Sequence, residues 1–504
     1  MSRINASSFN LRAIARQVML SRGFLVEFPS EVIREAAQAS EPPFDTLGLK
    51  DLSAWLWSSI DNDDSRDLDQ IEYAESEKEG VRLYLAVANV NAFVPLGSAT
   101  DEAARHNTTS LYTGVQTFPM LPEKFSFDIS SLVEGQKRLA VVVEILLDAE
   151  GGILQSAVYP AIVQNKAQLT YTAVATWLEE KTGGQRSGPA TTSSPRTTQV
   201  LEKIRQNGDL QNQLVIQDRI AQTLRQRRHT AGALSLQTLE FRPAVSSEGD
   251  IDLSTHESNR ATQLIEDLMI AANQAGVTFL DAKGFPSFRR VVRIPKRWDR
   301  IVELAVSHGG NLPSEPDAIR LEAFLKDQLR KDPEHFPDLS LAVIKLLGRG
   351  EYVVKAPGEE APGHFSLAVE NYAHSTAPNR RYPDVITQRL LLAACTGQRS
   401  PYAIPELVVL AQHCTEKEDD ANKVERSVHK SIAAAALSTR IGEVFPGVIT
   451  GVTDQGVWVR LLHPPVEGKV ISLPRRVDVG DKVQVRLVET NPQRGYIDFS
   501  LIHG

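Results

Sequence analysis

The chain has 504 residues, of which 63 are Asp or Glu and 55 are Lys or Arg, for a formal net charge of −8. Its 42% hydrophobic and 23% charged residues exclude a disordered or fibrous chain, and the length fits roughly three domains of about 150 residues each. Bulk acidity excludes a protein that is basic over its whole surface, such as an architectural DNA binder, and leaves room for a local basic groove.

Residues 10–20 place Leu11, Ile14, Val18 and Met19 on one face of a predicted helix. After Gly23, Phe28-Pro29-Ser30 supplies an N-cap for a second short helix that begins at Val32-Ile33. Two short helices around a Gly turn predict a helical N-terminal domain over 1–50, either helix-turn-helix-like or a plain structural cap. The first acid is Glu27, after Arg3, Arg12, Arg16, Arg22 and several serines, which is also the composition of an organelle transit peptide. The small helical domain is the preferred reading. The N-terminus has no signal-peptide apolar core, and no apolar run reaches the ~18 residues of a membrane span.

From Trp55 to about Leu147 the pattern is that of strands. Val81–Val87 and Leu139–Leu147 are β-rich, and Asp148–Gly152 reads as a turn into a strand over Ile153–Val158. Residues 170–181 read as helix, and the low-complexity stretch Thr182–Thr198 as a mobile loop. Helices are predicted over Leu201–Arg228, Ala261–Gly276, Asp299–His308, Pro316–Leu329, Asp384–Thr396 and Ile404–Ser438. Phe445–Leu501 alternates in short strands broken by Gly and Pro, which predicts a small barrel. The expected class is a mixed α/β (α+β) protein with a central domain over 51–440 and a barrel over 441–504. The only cysteines, Cys395 and Cys414, exclude a disulfide framework and a four-Cys zinc site and fit a reducing, cytoplasmic compartment.

The sharpest feature is I-D-N-D-D-S-R-D-L-D-Q-I over 60–71. It packs Asp61, Asp63, Asp64, Asp67 and Asp69 into nine residues. Crowded carboxylates raise each other's pKa, and a hard divalent cation relieves the repulsion by sharing their oxygens. Three readings stand. In a calcium loop, Asp61, Asp63, Ser65, Asp67, Asp69 and Glu72 would take the ligand positions, but Arg66 occupies the place where the sharp turn needs Gly. The loop could be merely solvated. Or it is a magnesium site for phosphoryl chemistry, which needs supporting residues elsewhere.

Such residues are present. The loop resembles the signature of the RNB family, the RNase II and RNase R type exoribonucleases. Four further blocks resemble the family's in the same order: Tyr112 with F-P-M-L-P from Phe118, K-A-Q-L-T-Y ending at Tyr171, I-E-D-L-M-I-A-A-N ending at Asn273, and T-A-P-N-R-R-Y-P-D ending at Asp384. The resemblance implies that Asp61, Asp67 and Asp69 fall on magnesium-site aspartates and that Gln70 falls where the family has a fourth. An amide oxygen can ligate a hard cation but brings no charge, so Asp63 or Asp64 is a candidate to compensate. It also implies that Arg380 grips the scissile phosphate, with Arg381 beside it, and that Tyr112 and Tyr171 stack on terminal bases, at about 1–3 kcal/mol each. Glu266 or Asp267 would accept a hydrogen bond from a ribose 2′-hydroxyl. Glu425 lies in A-N-K-V-E-R, which resembles the helix after the arginine motif.

The segments from Gly447 and from Val479 resemble the S1-type RNA-binding barrel, with Trp458 and Lys469 as candidates for its RNA face. Arg225–Arg228 and Arg289–Arg297 are basic runs that could line an RNA path. The resemblance therefore implies a catalytic domain with an RNA channel and a processive 3′→5′ exoribonuclease. It would hydrolyse single-stranded RNA to nucleoside 5′-monophosphates with Mg²⁺ or, as a substitute, Mn²⁺. It would act as a monomer with no obligate protein partner and no membrane. Only about 55 residues precede the catalytic region, so RNA entry is expected to use the helical cap and the C-terminal barrel instead of the family's usual leading barrels. A catalytically impaired RNA-binding protein, disabled at Gln70, is the alternative.

Overall fold

The computed structural model describes residues 10–502 except 45–46, 183–193, 238–239, 242, 246–250, 254, 257, 334 and 474–475. In chain order, α1 (Leu11–Ser21) and α2 (Ser30–Gln38) precede β1 (Lys50–Asp51), β2 (Trp57–Asp61), β3 (Gln70–Glu77) and β4 (Gly80–Ala88). Next come α3 (Ala99–Asn107), the short pair β5 (Leu111–Tyr112) and β6 (Thr117–Phe118), and the long hairpin β7 (Lys137–Leu147) and β8 (Ile153–Thr170). A helical block follows: α4 (Tyr171–Thr182), α5 (Pro195–Gln206) and α6 (Gly208–Thr230). The two-residue strands β9 (Glu240–Phe241), β10 (Ala244–Val245), β11 (Ile251–Asp252) and β12 (Thr255–His256) lead to α7 (Arg260–Ala282). Then β13 (Ser287–Val291) and, beyond α8 (Trp298–Ser307), α9 (Ala318–Lys331) and α10 (Phe336–Leu347), its partner β14 (Glu351–Lys355). The central domain ends with α11 (Tyr382–Cys395) and α12 (Ile404–Leu437), and the chain with β15 (Val444–Thr453), β16 (Gly456–Leu461), β17 (Glu467–Ser472), β18 (Lys482–Asn491) and β19 (Tyr496–Leu501).

The central sheet has the order β1-β8-β2-β3-β4-β7, and β8 also pairs with β7. At 18 residues, β8 is long enough to pair with β7 over its first part and with β2 over its last, so the sheet closes on itself. The β3–β4 turn depends on Gly80, with φ +152°, because a Cβ there would lie 1.9 Å from the Leu147 carbonyl oxygen. Period-two alternation divides the sheet. Ile60, Leu83, Leu85, Val143 and Leu169 face the core shared with α4, α6, α7 and α11, while Trp57, Ile71, Tyr84, Ala86 and Val142 form a second core with Trp55 and Tyr73. The parallel register Asp61↔Thr170 brings the end of β2 beside the end of β8. That pairing places the aspartate loop next to Tyr171.

Most predicted helices are present with ends shifted by a few residues. The helix predicted over Leu201–Arg228 is two. Asn207 adopts an extended backbone that ends α5, and its side chain then caps α6 by accepting the Leu210 N–H at 3.0 Å. Of the loop predicted over Thr182–Thr198, 183–193 lie outside the described residues, and Pro195 opens α5 under a Ser194 cap. The N-terminal helices dock separately: Leu11, Ala15 and Met19 of α1 pack on Val424 and Val428 of α12, and Glu35 of α2 accepts the Ala99 and Thr100 N–H groups at the start of α3. The C-terminal strands form the expected closed barrel, β15-β16-β17-β19-β18, around Phe445, Ile449, Val459, Leu487 and Phe499. No helix among the described residues is long and apolar enough to cross a membrane.

Candidate active site

The aspartate loop is a strand connection between β2 and β3. With strands on both sides the calcium-loop reading fails, since that motif requires helices. Leu68 turns inward as the anchor: its N–H donates to Ser131 Oγ at 3.0 Å, and Ser131 Oγ donates to the Arg66 carbonyl at 2.7 Å. Asp67 and Asp69 flank this anchor. Asp61 Oδ1 accepts the Asn62 N–H at 2.7 Å and the Ser65 hydroxyl at 2.8 Å. Asp67 accepts the Tyr112 hydroxyl at 2.6 Å. Asp69 accepts the Asn379 N–H and Arg380 Nε, both at 3.1 Å.

Burial sets the electrostatics. It pushes Asp69 up to about 8, because desolvation outweighs the attraction of Arg380 and Asp67 adds repulsion. Asp61 is raised for the same first reason, again with Asp67 adding to it. Among the described residues, no three Asp, Glu, His or Cys side chains converge tightly enough to enclose a metal ion. Each aspartate instead faces its own partner.

Arg380 projects from a turn that is fixed on all sides. The Arg380 and Arg381 N–H groups donate to the Ala377 carbonyl at 3.2 and 3.0 Å, and Asp384 of α11 accepts the Ala377 N–H at 2.8 Å. The Arg380 carbonyl accepts the Ser110 N–H at 2.9 Å, which straps the turn to the segment leading into Tyr112. On α7, Asn273 accepts the Ser375 N–H at 2.8 Å and hydroxyl at 2.7 Å. The Arg380 side chain keeps 42% of its surface exposed, so its guanidinium is reachable while Nε is held. Arg381 donates to Asp384 at 2.8 Å, and that carboxylate is fully buried.

Around this centre, Glu425 of α12 accepts the Tyr112 N–H at 2.9 Å. The Tyr171 hydroxyl is pushed up by burial, with Asp61 and Glu72 next in effect. Asp267 is buried, bonded to Arg225 at 3.0 Å and paired with Arg228, whereas Glu266 is 53% exposed and 3.6 Å from Arg225. The basic runs are largely neutralised: Arg289 is buried on Asp281, and Arg290 pairs with Glu418 at 2.7 Å. In the barrel, Val457 and Val459 point inward and Trp458 lies half-buried on the opposite face, in register with Lys469. Glu72, which the sequence offered only as the last ligand of a calcium loop, stands on β3 just beyond the aspartates. It is fully buried, with both oxygens lacking a hydrogen-bond partner. Its burial, in contrast, is signalled only by its place two residues beyond Gln70 on an alternating strand.

The chain matches the RNB domain over residues 49–397. It belongs to the RNB family. Residues 443–502 match the C-terminal S1 domain of RNase II-type exonucleases, so this RNB chain carries the family's S1 barrel as well. Ribonuclease R of Escherichia coli is 29% identical over 518 residues, covering 94% of this chain and 60% of that protein. Ribonuclease R 1 of Lactococcus lactis is 27% identical over 523 residues, covering 96% of this chain. The chain spans 60% of the length of each. RNase R of Mycoplasma genitalium, solved without ligand, superposes with a TM-score of 0.84 at 24% identity over 98% of this chain and 78% of that one. That protein has also been solved with ribose-methylated single-stranded RNA and with double-stranded RNA. A yeast pseudonuclease shares the fold with a TM-score of 0.68 at 16% identity over 94% of this chain and 57% of that one.

Proposed function

We propose that this RNB chain is a processive 3′→5′ exoribonuclease that hydrolyses single-stranded RNA to nucleoside 5′-monophosphates. The observation that carries this is Arg380. Its guanidinium is fixed by buried Asp69, backed by a strapped turn, and still open at the face of a carboxylate loop. A fixed guanidinium beside crowded carboxylates suits a phosphodiester that must be gripped and charge-stabilised while it is attacked.

Asp61, Asp67 and Asp69 would hold the hard cation, Mg²⁺ or its substitute Mn²⁺, with the Gln70 amide oxygen as a neutral neighbour. The donor set fits in kind, being all oxygen, and burial raises the carboxyls of Asp61 and Asp69, a penalty that a cation would relieve. When bound, the cation supplies an activated water and stabilises the leaving 3′-oxygen. Tyr112 and Tyr171 bracket the loop and stack on terminal bases. Glu266, the exposed member of its pair, accepts the ribose 2′-hydroxyl, and Asp267 fixes the arginines behind it. Arg381 and Glu425 position Arg380 and Tyr112, and Trp458 offers a stacking face on the barrel. The two unpaired cysteines fit a reducing, cytoplasmic compartment, and the chain would act as a monomer.

Digestion of 5′-labelled single-stranded RNA with Mg²⁺ tests the proposal. A ladder that shortens from the 3′ end is expected. Gln70 and the likeness to a pseudonuclease favour a second reading, an RNA-binding protein without hydrolysis. Binding without shortening at every Mg²⁺ and Mn²⁺ concentration would establish that reading and overturn the first.

A further inference from the structure

The barrel meets the central domain at two places of different chemistry. At one, Ala433, Ala434 and Leu437 of α12 belong to the barrel's apolar core. At the other, β16 meets α10, in the helical insert between β13 and β14, through an ion pair. Arg460 Nη1 lies 2.8 Å from Asp338 Oδ1, and Arg460 Nη2 donates to Asp338 Oδ2 at 3.0 Å. The apolar core of the insert, from Trp298 to Leu347, shares no residue with the core of the barrel. Lys482, which opens β18, lies within electrostatic reach of Asp332 at the end of α9. Barrel cations thus face insert carboxylates.

Arg460 stands on a face that suits another partner. Val457, Val459 and Leu461 point into the barrel, so Trp458 and Arg460 share the outer face of β16, about 7 Å apart. Lys469 is in register with Trp458. Glu467, in register with Arg460, accepts the Thr450 hydroxyl at 2.8 Å. An aromatic ring among cations is what a single strand of nucleic acid needs, a face for a base and positive charge for its phosphates. The fork that fits two carboxylate oxygens also fits two phosphate oxygens. Arg460 keeps 18% and Asp338 29% of the side-chain surface exposed, and a partly exposed ion pair is weakly held and screened by salt. A polyanion can exchange for such a partner.

We propose that Asp338 stands in for a phosphate: it occupies Arg460 while the barrel is empty and yields it to single-stranded RNA bound along Trp458. Arg460 is then an RNA-binding residue, Asp338 is its internal competitor, and the pair is a clasp between barrel and insert that RNA opens. This rests on the reading of the barrel's outer face as an RNA surface and does not depend on hydrolysis.

The test is binding of fluorescein-labelled single-stranded RNA to the full chain in EDTA, read by anisotropy. A mere strut would bind RNA equally or more weakly when either partner is lost. A clasp gives opposite signs: Asp338→Asn is expected to bind at least threefold more tightly than wild type, and Arg460→Gln at least threefold more weakly. The double variant should bind within 1.5-fold of Arg460→Gln, because losing Asp338 helps only where there is an Arg460 to free. Asp209→Asn, which removes an equal charge from the exposed start of α6, should stay within 1.5-fold of wild type. With Asp338→Asn it decides the matter if the Arg460 variants do not fold. A smaller shift in either single variant overturns the proposal, as does a double variant that keeps the gain, or a gain from Asp209→Asn. Opposite shifts in a chain that shortens no RNA refute hydrolysis and leave the clasp standing. A chain that shortens RNA while Asp338→Asn binds no tighter does the reverse. A wild type that binds no single-stranded RNA overturns both.

Discussion

Replacing Asp69 with Asn should flatten the pH dependence of stability of the metal-free chain while abolishing hydrolysis. Asp69 is 3% exposed and, despite two hydrogen bonds, is pushed up to about 8 by burial. An acid with a folded pKa above its unfolded value near 3.8 takes up a proton on folding. Its contribution to stability is fully present below about pH 4 and is lost as the pH rises toward about 8. Each pH unit corresponds to ~1.4 kcal/mol per proton, so the ceiling from pH 5 to pH 7 is about 3 kcal/mol. Local relaxation and water entry reduce this, and a loss of about 1–3 kcal/mol is expected. Asparagine keeps the shape and can still accept the Asn379 N–H, so the comparison isolates the charge. Urea unfolding in EDTA at pH 5, 6 and 7, followed by the fluorescence of Trp55 and Trp57, measures it. Wild type should weaken as the pH rises, and the variant should weaken less by that amount. Equal slopes in the two proteins would refute the argument that burial dominates at Asp69. Mg²⁺ should reduce the wild-type slope and leave the variant's unchanged, since cation and proton compete for one carboxylate.

Arg380→Lys keeps the charge but loses the planar fork, and hydrolysis should fall by about 10²–10³-fold in a labelled-RNA assay, with RNA affinity within a few-fold of wild type. Asp267→Ala leaves Arg225 and Arg228 without their buried partner and should cost about 3–5 kcal/mol by chemical unfolding. Glu266→Ala, at an exposed position, should leave stability unchanged and reduce discrimination between RNA and DNA. Asp101→Ala strands buried Arg389, its partner at 2.8 Å, and should destabilise the junction of α3 with α11 by about 3 kcal/mol or more. Trp458→Ala should weaken binding of single-stranded RNA by about 1–3 kcal/mol without unfolding the barrel, because the side chain lies outside its core.

The parts of this molecule that sequence reveals are those where residue type and period agree. The amphipathic helices and the alternating barrel strands follow from spacing alone, the aspartate loop from its density of carboxylates, and the R-R-Y turn only from its resemblance to the family's motif. What sequence conceals is pairing at a distance. Arg225, Arg228 and Arg289 form basic runs on paper, but their carboxylate partners sit on other elements and remove the surface charge. Asn207-Gly208 could have signalled the break between α5 and α6, yet the helical period on either side hides it. Glu72 is the deepest case. Alternation assigns Glu72 to a face of β3, but the cover that α6 lays over that face comes from far along the chain and no local pattern reports it.

The 34-residue α12, about 50 Å long, is shared by parts that would otherwise count as separate. It receives α1 on Val424 and Val428, anchors the Tyr112 backbone through Glu425, and supplies Ala433, Ala434 and Leu437 to the interior of the barrel. The barrel is therefore packed on the same helix that holds the Tyr112 backbone at the candidate site. One helix thus fixes the distance between the barrel and Tyr112, so a change in the length of α12 would shift both together.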